Sequence, residues 1–427
     1  MTTLSPRRIL LVDADAFFVA VARQEDPEGA GKATLLIVGG RPGSRGVVCS
    51  ASYECRAFGV RSAMPISRAL KLCPQATCVP VPRGACSARS KDIQQVLATY
   101  APVVQASSID EWYCDMGGTE ALYGHESLEA TAHRIRTAVL AATGLSVSIG
   151  GGTSRLVAKM AVELAKPKPG TDATGVRCVF PGWEAAFLAP FRLADLPMVG
   201  PRFSATLERM GLETIADAQR WSLTDLQARL GERAGAWLHR RVRGIDDSIV
   251  TPREVQKQVS REETFGRDLH DDDVIERELL RLAVRVSTDL RRQGLRARTV
   301  TVKLKDADFK TRSAQRTLAQ PIESEKSVIK AARVLYRALR GKRRVGVRLL
   351  GIGLSHFDDD AGGARVTQLG FFVPAPTSPN EGEPVENAKD RALTRALDRI
   401  RDRYGSGAIV PARLLDSSSE TGPRVEE

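Results

Sequence analysis

Histidine is scarce in this chain, with five among 427 residues, and the seven cysteines (Cys49, Cys55, Cys73, Cys78, Cys86, Cys114 and Cys178) are odd in number and irregular in spacing. No CxxC pair occurs and few histidines lie near the cysteines, so neither a zinc site nor a disulfide framework is expected. Long apolar runs are also missing: no stretch approaches the roughly 20 residues that a membrane span needs. The N-terminus, MTTLSPRRILLVDADAFF, interrupts its short apolar run with aspartates, which is wrong for a signal peptide. These absences point to a cytoplasmic protein with no membrane partner. No long internal repeat is found either.

What the chain has in excess is positive charge. Lys and Arg number 63 against 51 Asp and Glu, a net charge of +12, and that sign favours a polyanionic partner such as nucleic acid. The 42% apolar fraction is ample for packed cores, and the length calls for two or more domains.

The patterning predicts an α/β multidomain chain. Residues Arg8 to Val12, RILLV, form a buried strand that ends at Asp13 and passes into a helix starting near Phe17. Further strands are expected at LLIVGG, VVCSAS, SSIDEWYCDM and LSVSIGGG, alternating with helices at SRALKLC, LEATAHRIRTAVLAATG and LVAKMAVELA, which suits a mixed sheet with helices on one side. KPKPG, from Lys166, breaks the last of these helices. Trp183 to Ile245 is expected to be helical, with short Gly-containing connections. Val255 to Phe357 follows the order strand, helix, strand, strand, helix, strand. Beyond Phe357 a tail is expected, with a short amphipathic helix on which Leu393, Leu397, Ile400 and Tyr404 share a face, ending near Gly405.

The strongest chemical constellation joins LVDADAFF to SSIDEWYCD about a hundred residues later. Carboxylates brought together from two strand ends cannot all ionise without cations, so Asp13, Asp110 and Glu111 are expected to form a divalent metal site. Oxygen-only ligands favour Mg2+, with Mn2+ as the substitute.

The segments LVDADAFF, SASYECRAFGVRSAMP, SSIDEWYCDM, LVAKMAVELAKP, VGPRFSATLERMGLETIADA, RARTVTVKLKDADF and VRLLGIGLSHF resemble, in order, the successive motifs of the Y-family DNA polymerases, nearest to the bacterial DNA polymerase IV group. The resemblance implies a right-hand polymerase: palm at 1–15 and 83–173, fingers at 16–82, a helical thumb with a helix-hairpin-helix at 174–245, a linker at 246–256, a small α+β little finger at 257–357 and a flexible tail at 358–427. It implies template-directed, low-fidelity addition of deoxynucleotides to a primer end during lesion bypass, by a monomer. The alternative is an inactive DNA-binding adaptor of a mutagenesis complex, and a nucleotide cyclase would share the palm chemistry without the basic C-terminal domain.

By the same resemblance Asp13 and Asp110 bridge two Mg2+ ions, Glu111 ligates the catalytic one and the Ala14 carbonyl completes the nucleotide-side one, while Asp15 supports the loop. Phe18 is the steric gate against a 2′-hydroxyl, with Phe17 beside it in the core. Tyr53, Arg56 and Lys166 hold the triphosphate, and Cys49, Ser62 and Ala63 form a low roof over the new base pair. Gly200 opens the helix-hairpin-helix, although Met198 stands where a glycine is usual. Trp112 is bulkier than the residue usual after the acidic pair, and KPKPG has one residue too many and no asparagine.

On the C-terminal domain, Val300, Val302 and Leu304 alternate with Thr299, Thr301, Lys303 and Lys305, so a buried face and a basic face are expected. Arg291, Arg292, Arg296, Arg298, Lys310, Arg312 and Arg316 would thicken the basic face, making Lys303, Lys305, Arg312 and Arg316 candidate DNA contacts. In the tail, Gln368, Leu369, Phe371 and Phe372 of TQLGFF resemble a sliding-clamp-binding peptide.

Overall fold

The structure is a computed structural model that describes residues 6–167, 173–252, 256–359, 386–405 and 407–414. The chain divides into two compact units, Met1–Glu254 and Val255–Glu426.

The first unit opens with β1 (Ile9–Ala14), buried along its whole length. Such a run of Ile, Leu and Val can only sit in the middle of a sheet with both faces covered. After α1 (Phe17–Glu25) come β2 (Leu36–Gly39), β3 (Val48–Ala51), α2 (Tyr53–Ala57), α3 (Ile66–Leu72) and β4 (Thr77–Val79). These last three strands make a small sheet of order β3-β2-β4, packed on α2 and α3 through Ile37, Val48, Cys55, Val60 and Ile66.

The chain then returns to the first sheet through α4 (Arg83–Tyr100), β5 (Val103–Ala106), β6 (Glu111–Asp115), α5 (Leu128–Thr143), β7 (Val147–Gly152), α6 (Arg155–Ala165) and β8 (Val176–Cys178), giving the strand order β5-β6-β1-β7-β8. Alternation along β1 sends Leu10 and Val12 toward α4 and α5, and Ile9 and Leu11 toward α6. Helices therefore cover both faces, which corrects the expectation of one. The cause is Gly150: a Cβ there would lie 2.2 Å from the Ala158 carbonyl oxygen and 2.3 Å from the Val162 nitrogen, so its absence lets α6 lie directly on β7. α6 starts where the Ser154 hydroxyl accepts the Val157 N–H at 3.2 Å and ends before Pro167. The edge strand β8 pairs with β7, so the sheet reaches past residue 173.

Short helices follow: α7 (Glu184–Leu188), α8 (Pro201–Arg209), α9 (Ile215–Gln219), α10 (Leu223–Leu230) and α11 (Glu232–Arg241). They share one core of Leu188, Leu193, Leu207, Ile215, Leu226 and Leu238. Capping boxes at Thr214 with Asp217 and Ser222 with Asp225 start α9 and α10.

The second unit runs β9 (Gln258–Leu269), α12 (Asp272–Arg292), β10 (Leu295–Asp306), β11 (Thr311–Ile322), α13 (Glu325–Lys342) and β12 (Val347–Asp359), the order expected. Its sheet is β11-β10-β12-β9, and Val300, Val302 and Leu304 share a core with Leu279, Leu282 and Val286 of α12 and with Ala332 and Leu335 of α13. Thr299 departs from the expected alternation: a register shift near Ala297 buries it, and its hydroxyl bonds the Thr317 hydroxyl at 2.8 Å and His356 Nδ1 at 2.9 Å.

Residues 386–405 and 407–414 are not the simple flexible tail expected. α14 (Ala388–Tyr404) ends at Gly405 as anticipated, yet it docks by charge. Arg291, expected on a basic surface, is buried and grips the Asp398 carboxylate, its Nη2 2.8 Å from Oδ1. Arg292 pairs with Asp402 at 2.8 Å, and the Glu386 carboxylate accepts the Glu323 and Ser324 N–H groups ahead of α13 at 2.9 and 2.6 Å. The apolar stripe is not the buried face: Leu393 and Tyr404 are exposed and Leu397 and Ile400 only partly covered, while Thr394 and Arg401 are buried. Hydrophobic periodicity locates such a helix but not the face it presents.

Candidate active site

Asp13 is buried at the end of β1, opposite Glu111 of β6 and Ser148 of β7. Two carboxylates thus face each other across one strand pair, and the Ala14 N–H donates to the Asp110 carbonyl at 2.9 Å, which fixes the backbone of the third acid beside them. Each carboxylate is engaged by a different protein donor. Lys166 Nζ lies 2.8 Å from Asp13 Oδ2, Lys159 Nζ donates to Glu111 Oε1, and the Ser108 hydroxyl donates to Asp110 Oδ1. Among the described residues no three acidic, histidine or cysteine side chains converge on a common point. The strand geometry therefore brings Asp13 and Glu111 together, while the Asp110 side chain is turned to Ser108.

Burial sets the electrostatics. It pushes the Asp13 carboxyl up to about 7 even though Lys166 pulls the other way, and the neighbouring Glu111 charge adds to the rise. Burial also disfavours the charged forms of Lys159 and Lys166, but hydrogen bonds and charge from Glu111, and from Asp13 and Glu163, outweigh it, and both are raised. A site that deprives a carboxylate of water and sets a second one opposite fits a hard cation.

The chain around this pair is tightly specified. Ala16 adopts a left-handed conformation (φ 44°) at the turn into α1, an uncommon state for a residue with a Cβ. Asp15 holds that turn as expected, accepting the Ser146 and Ser148 hydroxyls at 2.8 and 2.7 Å. Phe17 is in the core and Phe18, edge-on to it at 5.5 Å, is half-buried.

From the small sheet, α2 presents Tyr53 and Arg56, the guanidinium 4.8 Å from the ring centre and its Nε donating to the Ala51 carbonyl at 3.0 Å. Burial raises the Tyr53 phenol, with Asp15 and Asp13 adding to the rise and Arg56 and Lys166 opposing it. Cys49, Ser62 and Ala63 are neighbours and exposed, with the Ser62 hydroxyl 3.1 Å from the Cys49 carbonyl. Residues 168–172, which include most of the KPKPG departure, lie outside the described residues, as does TQLGFF with Gln368, Leu369, Phe371 and Phe372.

Gly200 is the N-cap of α8, with Pro201 following. Met198 takes a left-handed φ of 76°. It adopts the conformation for which a glycine is usual, with its side chain exposed to solvent.

In the second unit Lys303 and Lys305 lie on the open face of the sheet, where Lys303 meets both carboxylate oxygens of Glu262 at 2.9 Å. Arg312 is a correction. It pairs in register with Leu304, hence on the helix-covered face, and it binds Asp306 at 2.8 Å and the Leu339 carbonyl of α13. Arg316 is opposite Val300 on that same side. Arg296 and Arg298 donate to the Pro321 and Ala319 carbonyls.

Lys159 and Ser108 were not anticipated from sequence. Lys159 was accessible to it: it precedes Lys166 by seven residues, two turns along the same helix face.

Family models match this chain as the impB/mucB/samB family over residues 12–163, its C-terminal domain over 256–369, and the DNA polymerase-iota thumb domain over 194–246. DNA polymerase IV of Dehalococcoides mccartyi (strain CBDB1) is 34% identical over 413 residues, 96% of this chain and 98% of the relative. The chain belongs to the Y family of DNA polymerases, in the DNA polymerase IV branch. DNA polymerase IV of Halorhodospira halophila is 37% identical over 352 residues, 82% of this chain and 95% of the relative. Among solved structures, the Y-family DNA polymerase chimera Dbh-Dpo4(243-245)-Dbh superposes with a TM-score of 0.73 at 23% identity, covering 83% of this chain and all of that one. The fold is the palm, fingers, thumb and little finger of these enzymes. The chain is a template-directed, low-fidelity translesion DNA polymerase that uses primer-template DNA and deoxynucleoside triphosphates, with the Mg2+ dependence of its family. Among the described residues no helix is long and apolar enough to cross a membrane.

Proposed function

We propose that Asp13, Asp110 and Glu111 are the catalytic carboxylates and that, with the Ala14 carbonyl, they hold two Mg2+ ions. The observation that carries this is the register of β1 and β6, which sets Asp13 opposite Glu111 and ties Ala14 to Asp110. When bound, the ions supply Lewis-acid activation of the primer hydroxyl and neutralise charge on the departing pyrophosphate. The protein's own part is positional. Tyr53, Arg56 and Lys166 bind the triphosphate, Arg56 with a planar fork suited to phosphate oxygens. Phe18 lies under the sugar and leaves no room for a 2′-hydroxyl. Cys49, Ser62 and Ala63 are small enough to admit a distorted template base.

Around that centre, residues 1–15 and 83–178, which take in the edge strand β8, form the palm, 16–82 the fingers, 179–245 the thumb and 257–357 the little finger. Backbone N–H groups after Gly200 contact phosphate, and Lys303 and Lys305 track the duplex without reading bases. Gln368, Leu369, Phe371 and Phe372 tether the enzyme to the sliding clamp, at an effective concentration on the order of millimolar. The enzyme works as a monomer in the cytoplasm.

Single-turnover incorporation by Asp110→Ala tests the centre. Incorporation is abolished while affinity for primer-template is kept; extension at the parental rate would refute the assignment. For the tether, replacing Leu369 and Phe371 by Ala removes stimulation by loaded clamp and leaves clamp-free extension unchanged.

A further inference from the structure

Lys159 has no place in the mechanism above, yet its ammonium is hydrogen-bonded to Glu111 Oε1. The contact is built from below. α6 lies backbone to backbone on Gly150, where no side chain could intervene, and this close approach lets Lys159 reach β6 from the second turn of the helix. Two turns on, Lys166 does the same for Asp13. Each of the two facing carboxylates thus meets one ammonium. Lysine is the cation suited to such a place, since it presents a compact charge on a flexible stem and forms no fixed fork.

We propose that Lys159 is the resident counter-ion of Glu111, a positioning residue that neutralises this carboxylate before a divalent cation binds and gives it up when the cation arrives. Lys159 thereby sets how tightly the site takes its metal: it competes for one ligand and repels the incoming charge. It also keeps Glu111 from turning away from the site, or repelling Asp13, between catalytic cycles. The proposal rests on Glu111 and Asp13 being metal ligands.

The test is Mn2+ binding to the full chain without DNA or nucleotide, followed by the loss of the free-ion electron paramagnetic resonance signal. Lys159→Met removes the competitor and one nearby positive charge, and affinity rises by about tenfold. Lys159→Gln, which keeps polarity without charge, gives the same increase should the methionine variant fold poorly, and Lys159→Arg, which keeps the charge, gives less. In a Glu111→Gln background, where Mn2+ binds more weakly, Lys159→Met raises affinity less than it does in the parent chain. Unchanged or weakened Mn2+ affinity in both neutral variants, with Glu111→Gln and Asp13→Asn still weakening binding, overturns the role of Lys159 and leaves the carboxylate assignment standing. If Glu111→Gln and Asp13→Asn also leave Mn2+ affinity untouched, the carboxylate assignment itself falls.

Discussion

Both units of this polymerase bury acidic side chains beside cations, but the palm does so with lysine and the second unit with arginine. In the palm, Lys159 and Lys166 each make point contacts to Glu111 and Asp13, and Asp13 still sits far above its ordinary carboxyl range because burial outweighs its partner. In the second unit, Asp306 is fully buried yet bound by Arg312 through two nitrogens, at 2.8 and 3.0 Å, and by Arg343 at 2.8 Å. Arg343 also binds both oxygens of Asp308, at 2.8 and 3.0 Å. That cluster ties the turn between β10 and β11 to the end of α13. Forked arginine contacts are hard to exchange and serve as staples, whereas lysine contacts can be exchanged for a better cation. Similar ion pairs therefore do opposite jobs, one keeping a site available and the other closing a fold.

The largest effect is expected at Asp306. Asp306→Ala leaves two arginines without their shared carboxylate, and a loss of roughly 3–5 kcal/mol is expected. All four tryptophans (Trp112, Trp183, Trp221 and Trp237) are in the first unit, so the loss is read by urea denaturation followed by far-ultraviolet circular dichroism and by faster hydrogen exchange in β10 and β11. A loss under 1 kcal/mol would mean that the cluster is no staple.

On the palm side the corresponding change alters selectivity while the fold is kept. Phe18 is half-buried beside a fully packed Phe17, so Phe18→Ala should leave folding intact and raise ribonucleotide use relative to deoxynucleotide use by tenfold or more, on the order expected for relief of a steric exclusion. Comparable losses for both sugars would instead make Phe18 structural.

A smaller effect separates the units by pH. Hydrogen bonds from Arg343 hold the Asp308 carboxyl down at about 2, below its ordinary 3.8. A depressed carboxyl stabilises the fold above its unfolded value and loses that contribution as pH falls from about 4 to about 2. Hydrogen exchange of β10 and β11 should therefore accelerate across that window, and less so in Asp308→Asn. Asp13 has the opposite sign: its raised carboxyl favours the folded palm at low pH, and that contribution is lost as pH rises from about 4 through about 7.

Much of this arrangement is legible in the sequence. An apolar strand that ends in Asp13, and a second strand that carries Glu111, place the acids at strand ends, because a run that is apolar on both faces must lie inside a sheet. The alternation Val300, Val302, Leu304 likewise fixes one face of β10. What is not legible is whatever depends on cross-strand register or on the choice of ionic partner. Arg312 reads as one more basic residue near a basic strand, and only its position opposite Leu304 turns it toward α13. Arg291 reads as surface charge, and only the return of α14 supplies Asp398. Met198 shows the same limit for backbone: a missing glycine suggests a lost turn, but the left-handed conformation is kept.

If the palm carboxylates exchange protein partners for metal while the second unit's pairs stay closed, Mg2+ protects the palm and leaves the second unit unchanged. Hydrogen exchange of the full chain with and without Mg2+ tests it most directly. At Mg2+ tenfold above its dissociation constant the palm gains about 1.4 kcal/mol, seen as slower exchange along β1 and β6 near Asp13, Asp110 and Glu111 and absent in Asp13→Asn, with β9 to β12 unchanged. Protection confined to the second unit, or equal protection in Asp13→Asn, would contradict it.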